Sequence, residues 1–198
     1  MGKVTTGASM SIDGYIAGPE ESGFDLLFQW YGNGDVELPT GHPDMTFKTT
    51  KASAEYWRSL IENTGALVVG RHLYDFTKAW GGRHPMDVTT VVLTHNPPAD
   101  RPLADENFVF VTDGIEAAVA KAKEIAGDKN VGLNGGQIAR QALDAGLVDE
   151  IGVDLVPVLL GAGTPFFPSL GVKPVQLEGP ISLIEGKAVT HLTYRVKK

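Results

Sequence analysis

Apolar residues recur along the chain with two different periods, and segments of the two kinds alternate. An apolar residue at every second position, or a short apolar run between turn residues, predicts a strand, whereas spacings of three and four predict a helix. The predicted strands are 3–10, 66–69, 88–94, 108–111, 130–133 and 149–160. One predicted helix begins at 49 or 50 and ends at 62, and three others span 72–79, 114–126 and 137–145.

The end of the chain departs from this alternation. Two strands, 181–185 and 188–196, follow each other directly around Glu185-Gly186-Lys187 and predict an antiparallel hairpin. Strands that alternate with helices form mainly parallel sheets covered by helices on both faces. We therefore predict a single α/β domain over residues 1–198, with a mostly parallel central sheet, flanking helices and an antiparallel C-terminal hairpin.

Residues 19–48 carry no clear period but hold a group of aromatic side chains: Phe24, Phe28, Trp30 and Tyr31. A structureless loop of this length inside a compact domain is usually functional or contains unrecognised elements. A short helix at 25–31 fits the pattern. Two interpretations of segment 24–31 stay open, a lid over a flat heterocycle and a flap that only packs on the core.

Composition narrows the classes of function. The chain has 198 residues and a net charge of −7, which argues against non-specific nucleic-acid binding. It has no cysteine, which excludes disulfides and thiolate chemistry, and no apolar run approaches the ~18 residues of a membrane span. The five histidines lack metal-ligand spacing, so we expect solvated side chains and no metal site. A soluble cytoplasmic protein is the default expectation.

Three predicted strand ends carry residues suited to a phosphate-bearing ligand: Gly70-Arg71-His72, Thr94-His95-Asn96 and Asn134-Gly135-Gly136-Gln137. Helix N-termini attract anions, glycines allow close backbone approach, and arginine adds a permanently charged fork. Ligands of open α/β sheets bind at this edge. Each segment alone could be a structural turn, but together they favour a dinucleotide site. Neither G-x-G-x-x-G before a helix nor a P-loop is present.

These segments also occur in the order of known motifs. Residues 10–17 (MSIDGYIA), 68–74 (VVGRHLY), 92–94 (VLT), 134–138 (NGGQI) and the stretch from Asp149 to Phe167 resemble the dihydrofolate-reductase-like superfamily. The similarity is greatest to the C-terminal reductase domain of bacterial riboflavin-biosynthesis deaminase-reductases, and it covers nearly the whole chain.

The resemblance implies NADPH as cofactor and hydride transfer as reaction. It implies that Arg71 binds the adenosine 2′-phosphate, with Thr94 and His95 near the same end. It further implies a cis peptide bond at Gly135–Gly136, beside the cofactor. The other positions that it assigns to the cofactor are Gly70, then His72, Leu73, Gln137 and Ile138 at the pyrophosphate, and Ala8, Ile16 and Ala17 on the nicotinamide side.

The substrate side departs from dihydrofolate reductase, which carries a carboxylate on its first helix. The equivalent spacing leads to Ala54, and the neighbouring Glu55 would point about 100° away on a helix. The expected substrate is therefore a small heterocycle or a related C=N or C=O compound, as for 5-amino-6-(5-phosphoribosylamino)uracil reductase. Dihydrofolate reduction using Glu55 and a non-catalytic NADP(H)-binding protein are the alternatives.

Two further interpretations remain open at this stage. Asp13 is either a second candidate catalytic acid or a turn-forming residue of its Asp-Gly pair. The apolar strand 151–160 is either the interface of a homodimer, which is common in the family, or a central strand of the core. No partner besides a small-molecule substrate and a second copy of the chain is expected.

Overall fold

The computed structural model describes residues 2–42, 44–99, 107–171 and 174–198. Its strands are β1 (Val4–Ser11), β2 (Tyr15–Ala17), β3 (Val36–Pro39), β4 (Thr46–Thr49), β5 (Thr64–Gly70), β6 (Thr89–Leu93), β7 (Phe108–Val111), β8 (Asn130–Leu133), β9 (Glu150–Val156), β10 (Thr164–Pro165), β11 (Leu177–Gly186) and β12 (Val189–Val196). Its helices are α1 (Phe24–Leu27), α2 (Lys51–Asn63), α3 (Arg71–Phe76), α4 (Ile115–Ala126) and α5 (Gln137–Asp144).

One eight-stranded sheet organises the domain, in the order β11-β12-β9-β1-β8-β5-β6-β7. The six strands from β9 to β7 in this order are parallel to one another. The β11–β12 hairpin joins this sheet antiparallel to β9. The predicted architecture, a mostly parallel sheet with an antiparallel C-terminal hairpin, is confirmed.

The sheet buries a different apolar cluster on each face. On one face α4 and α5 pack on the central strands, with Val68, Val119 and Leu143 in the cluster. On the other face lie α1 and α2, with Leu27 and Trp57 among the buried residues. Helices on both faces explain why the parallel strands consist of nearly continuous apolar runs.

The structure changes several predicted boundaries. The strand predicted over 149–160 ends at Val156, because Pro157 has no N–H for the ladder. The helix predicted over 72–79 ends at Phe76 and is followed by a tight turn with Ala79 and Trp80 in left-handed conformations. Two small pairings, β3 with β4 and β2 with β10, were not predicted.

The position of β9 decides between the two interpretations of the apolar strand. It pairs with β1 on one side and β12 on the other. Its side chains Ile151, Val153 and Val156 are buried. β9 is therefore a core strand, as the second interpretation expects for residues 151–156. Homodimer formation itself stays a prediction. In the described ranges no helix has the length and apolar character needed to cross a membrane.

Candidate active site

The C-terminal ends of four neighbouring strands carry most of the predicted site residues. In sheet order these strands are β1, β8, β5 and β6. Contacts connect the ends: a Cβ placed on Gly70 would lie 3.6 Å from Cγ1 of Ile138, the second residue of α5. The predicted segments after β5, β6 and β8 are therefore brought to one edge of the sheet, as expected.

Arg71 lies at the start of α3 and joins two of these strand ends. Its Nε donates to both carboxylate oxygens of Asp75 at 2.8 Å, and its Nη1 donates to the backbone oxygen of Asn96 at 2.5 Å. The side chain is one-third exposed. A guanidinium has five N–H donors, so these contacts fix its orientation and leave donors for a ligand. Asp75 partly offsets its charge.

The segment after β6 forms a small turn beside Arg71. The backbone N–H of Asn96 donates to Oγ1 of Thr94 at 3.2 Å, and that hydroxyl lies 3.3 Å from the Asn96 oxygen. Thr94 is buried and His95 is exposed. Thr94 thus shapes the loop that holds Arg71, while the His95 ring is open to solvent.

His72 and Leu73 follow Arg71 in the first turn of α3, and no side chain caps that turn. The His72 ring is largely exposed and contacts the carboxylate of Glu21, in the segment that follows β2. The ring also stacks near Phe76, with centroids 6.4 Å apart. His72 therefore links the β1–β2 side of the edge to the β5 side.

Gly135 and Gly136 form the turn between β8 and α5. A Cβ on Gly135 would lie 3.0 Å from side-chain atoms of Ile16 and Phe166, so only glycine fits without a shift. Gly136 has φ 68° and ψ −133°, a conformation that favours glycine, and its N–H donates to the Phe166 oxygen at 2.9 Å. No side chain caps α5, so the first backbone N–H groups of this helix have no side-chain acceptor. Gln137 is exposed at this end.

The predicted cis bond at Gly135–Gly136 is not found. The cis peptide bond of the described residues is Gly179–Pro180, in β11. The turn at Gly136 is made instead through its positive φ, which a residue without a Cβ can adopt. The expectation of a cis bond was wrong, while the tight glycine turn that motivated it is present.

The three residues assigned to the nicotinamide side are separated. Ile16 in β2 touches Gly135 and so lies at the shared edge. Ala17 is buried and pairs with Thr164 of β10. Ala8 packs into the α4–α5 core, on the opposite face of β1 from Ser9. Of the three, Ile16 is the residue with a contact to the glycine turn.

Asp13 anchors a loop. Its carboxylate accepts hydrogen bonds from the Ser11 hydroxyl at 2.6 Å and from the backbone N–H groups of Leu160 and Gly161 at 3.1 and 2.6 Å. The Ser11 bond contributes most to holding the pKa of Asp13 below its ordinary value. The group is thus ionised at neutral pH, which favours the turn-forming interpretation over a proton donor.

Glu55 points away from the sheet. Its side chain is 62% exposed and pairs with Lys51 one turn earlier on α2. Its neighbour Ala54 is completely buried. The inner face of α2 therefore does not carry Glu55, and the structure gives no support to a substrate-binding role for this carboxylate.

The aromatic segment is divided between core and surface. Leu27 and Trp30 are buried, and Nε1 of Trp30 donates to Oγ of Ser9 at 3.1 Å. Phe28 is exposed, and Phe24 stacks on it and approaches Phe76. Residues 24–31 contain the expected short helix, α1, followed by a 3-10 turn at Gln29–Tyr31. The buried half favours the packing-flap interpretation.

A buried polar cluster between α2 and the sheet was missed by the sequence prediction. Ser53, Asp154 and His191 are each at most 9% exposed. Nε2 of His191 lies 3.0 Å from Oγ of Ser53, and Nδ1 lies 2.7 Å from Oδ1 of Asp154. The expectation of solvated histidines is thus wrong for His191, because it lies on the inner face of β12 beside the buried Val189. The charged Asp154 inside the otherwise uncharged stretch 151–160 was the available clue.

Comparison with known proteins identifies the family. The sequence profile of the RibD C-terminal domain matches residues 2–186. The chain belongs to this family. It is 27% identical over 164 residues to the uncharacterized protein YwjB of Bacillus subtilis (strain 168), covering 82% of this chain and 80% of that protein.

Solved structures share the fold of this RibD C-terminal domain. A candidate riboflavin biosynthesis protein from Shewanella sp. PV-4 superposes with a TM-score of 0.73 at 20% identity, over 99% of both chains. Dihydrofolate reductase from Enterococcus faecalis, complexed with NADP(H) and RAB-propyl, gives 0.54 at 16% identity, over 99% and 97%. A Thermotoga maritima diaminohydroxyphosphoribosylaminopyrimidine deaminase/5-amino-6-(5-phosphoribosylamino)uracil reductase gives 0.62 at 12% identity, and this chain spans 57% of its length. The predicted dihydrofolate-reductase-like fold is confirmed.

Proposed function

We propose that this protein is an NADPH-dependent reductase that transfers a hydride to a small heterocyclic or related C=N or C=O substrate. The observation that carries the proposal is the meeting of Arg71, the Thr94 turn and the Gly135–Gly136 turn at neighbouring strand ends. Membership of the RibD C-terminal family supports it, as does the NADP(H) complex of the E. faecalis enzyme with the same fold.

The residues present fit a pyridine dinucleotide. The uncapped N-terminus of α5 begins at Gly136 and offers backbone N–H groups to a pyrophosphate. Arg71, fixed by Asp75 and Asn96, offers a planar cation to a 2′-phosphate at the far end. Ile16 lies against Gly135 and would limit the space on the nicotinamide side.

NADPH, when bound, supplies the hydride. The chain must place the acceptor atom of the substrate against it and limit competing reactions with water. Asp13 is unsuited to deliver the accompanying proton, because its low pKa keeps it ionised and its oxygens accept backbone N–H groups. Its contribution is to hold the β1–β2 loop against the segment after β9.

Cofactor choice tests the proposal. The purified protein should bind NADPH more tightly than NADH in a fluorescence titration, because only NADPH carries the 2′-phosphate. In Arg71→Gln, NADPH affinity should fall about 10- to 100-fold, which corresponds to a charge-assisted hydrogen bond of about 1.5–3 kcal/mol, while NADH affinity should hardly change. Arg195→Gln is the matched control, since Arg195 is an exposed, paired arginine on β12.

The alternatives have distinct outcomes in the same assays. Equal affinity for NADPH and NADH would contradict the role of Arg71. Tight NADPH binding without oxidation of NADPH by any compound of a heterocycle and carbonyl panel would favour a non-catalytic binding protein. Turnover of dihydrofolate that is lost in Glu55→Gln would favour folate reduction, against the exposed position of Glu55.

A further inference from the structure

The polar cluster under α2 connects three elements that are distant in sequence. Ser53 belongs to α2, His191 to β12 and Asp154 to β9. The two hydrogen bonds that connect these side chains are 3.0 Å and 2.7 Å long. Burying a carboxylate costs free energy unless it is paired and hydrogen-bonded. We therefore treat this cluster as a candidate functional group.

The order Ser–His–Asp is that of a hydrolase triad. In such a triad the serine is accessible to the substrate, whereas here the serine is buried. Ser53 and His191 are each 1% exposed. A Cβ on Gly186 would lie 2.5 Å from the Ser53 hydroxyl, so the β11–β12 turn covers it. The Asp154 side chain keeps 13% exposure. The most exposed of the three side chains is therefore the Asp154 carboxylate, so the cluster orients Asp154 rather than activating Ser53.

Hydrogen-bond directions support the same conclusion. Oγ1 of Thr50 donates to Oγ of Ser53 at 3.2 Å. The Ser53 hydroxyl is then free to donate to Nε2 of His191, which leaves Nδ1 as the N–H that donates to Asp154. In this arrangement the Ser53 hydroxyl and both ring nitrogens of His191 have partners, and Asp154 is an acceptor. A carboxylate accepts about four hydrogen bonds, so His191 and the Tyr56 hydroxyl, which also hydrogen-bonds to Asp154, leave part of that capacity unused.

Beside Asp154 the sheet has a bare surface. Gly7 of β1 is the register partner of Gly152 of β9, and Ser9 is the register partner of Asp154. The two pairs lie on the same face of the sheet, because positions two apart in a strand share a face. Gly7 is exposed although β1 is a central strand. Apart from its chain neighbours, only backbone atoms of Gly152 come within 4 Å of a Cβ placed on Gly7. No side chain comes within 4 Å of the Cβ placed on Gly7, so a flat ring can lie over the floor that Gly7 and Gly152 form, with the Tyr56 hydroxyl at its Gly152 end.

Hydrogen-bonding side chains surround this floor. The Tyr56 hydroxyl lies 3.9 Å from a Cβ placed on Gly152. Burial and the nearby charge of Asp154 raise the pKa of Tyr56 well above its ordinary value, and burial likewise raises that of Tyr31. Both hydroxyls therefore keep their protons.

We propose that Asp154 is the substrate-anchoring carboxylate of this reductase, and that it binds the N–H edge of a flat heterocycle lying over Gly7 and Gly152. The inference rests on the proposed function and adds the class of substrate, a ring with amino or amide N–H donors. Ser53 and His191 are positioning residues that hold the carboxylate. Asp154 supplies from β9 the acidic group that the outward-facing Glu55 does not supply from α2.

The probe for this site is 2,4-diaminopyrimidine, with unsubstituted pyrimidine as the ring without N–H donors. Titration calorimetry should show that the wild-type protein binds the diamino compound at least 10-fold more tightly than pyrimidine. Asp154→Asn should lose at least 10-fold of that affinity. Glu62→Gln, which alters an exposed carboxylate of α2, should leave it unchanged. No binding by the wild type, equal binding of the two rings, or full affinity in Asp154→Asn would each overturn the proposal.

A second pair of variants separates positioning from folding. His191→Phe removes the Nδ1 donor and should weaken binding of the diaminopyrimidine 3- to 10-fold, whereas His191→Asn restores an N–H near that place and should recover most of it. Equal losses in both variants would contradict the positioning role. NADPH affinity is measured separately in every variant: if the wild type binds the diamino ring through Asp154 but does not bind NADPH, the proposed function fails and the anchor stands.

Discussion

His84 should make the fold sensitive to mild acid. It follows the turn after α3, and its ring lies edge-on to Trp80 with centroids 4.6 Å apart. Its Nδ1 accepts the backbone N–H of Met86 at 3.1 Å, so the unprotonated nitrogen is part of the fold. Burial lowers the pKa of His84 from 6.5 to about 4.

The size and sign of the effect follow from this shift. Between pH 6.5 and 4 the unfolded chain binds a proton at His84 that the folded chain does not bind, so stability falls as the pH falls through this window. At about 1.4 kcal/mol per pKa unit, the full loss is about 3 kcal/mol, of which about 2 kcal/mol has occurred by pH 5. The dependence on pH fades above pH 6.5, where the unfolded chain also loses this proton.

The assay is urea denaturation at pH 8 and pH 5, followed by tryptophan fluorescence. His84→Asn keeps a side-chain acceptor for the Met86 N–H but cannot titrate, so its free energy of unfolding should fall by about 2 kcal/mol less than that of the wild type between the two pH values. His95→Asn, at an exposed histidine, is the control and should behave as the wild type. The window lies above the lowered pKa of Asp13, which therefore does not interfere. Identical pH dependence in His84→Asn and the wild type would refute the reasoning.

Three further predictions concern the sheet edge. Asp75→Asn should raise NADPH affinity about 3- to 10-fold at low salt and less at high salt, because it removes a negative charge beside Arg71; an unchanged titration would show that Asp75 does not compete. Asp13→Ala should lower the melting temperature at neutral pH, and the difference from the wild type should shrink as the pH falls through the lowered pKa of Asp13; a constant difference would contradict the loop-anchoring role. Gly135→Val should cost about 1–3 kcal/mol in urea denaturation, because its side chain meets Phe166, and should weaken NADPH binding; wild-type stability would show that the turn can widen.

The central elements could be predicted because strand-like and helix-like segments alternate there, with turn residues between them. Strands β7 and β8 and the end of α4 were placed at the residues where the structure has them. Strands β7 and β8 have only four residues each, as do β3 and β4, but β3 (VELP) and β4 (TFKT) lie in the long segment 19–48 that shows no clear period, so nothing set the hairpin apart from a loop. Strand β2 has three residues, too few to be separated from its turn.

The two halves of the candidate site differ in how far sequence could predict them. The edge around Gly70 and Gly135 is built from glycines and helix starts, which short contiguous motifs record. The polar cluster is not recorded locally, since Ser53 and His191 are 138 positions apart and His191 and Asp154 are 37 apart. Only the register of β12 on β9, with His191 opposite Asp154, places these side chains together.

This difference has a consequence for specificity within the family. The segments proposed to hold the cofactor are backbone turns, which contiguous sequence motifs record. The carboxylate that anchors a substrate can be carried by different elements of the same fold, a strand in one protein and a helix in another. It only has to lie beside the floor formed by Gly7 and Gly152. An anchor on β9, a strand paired on both sides, has a fixed position and approaches a bound ring from the sheet. A carboxylate on α2 would approach the same ring from the helix. Chains with these two arrangements should therefore prefer rings whose N–H donors lie on different edges, even where their cofactor turns are alike.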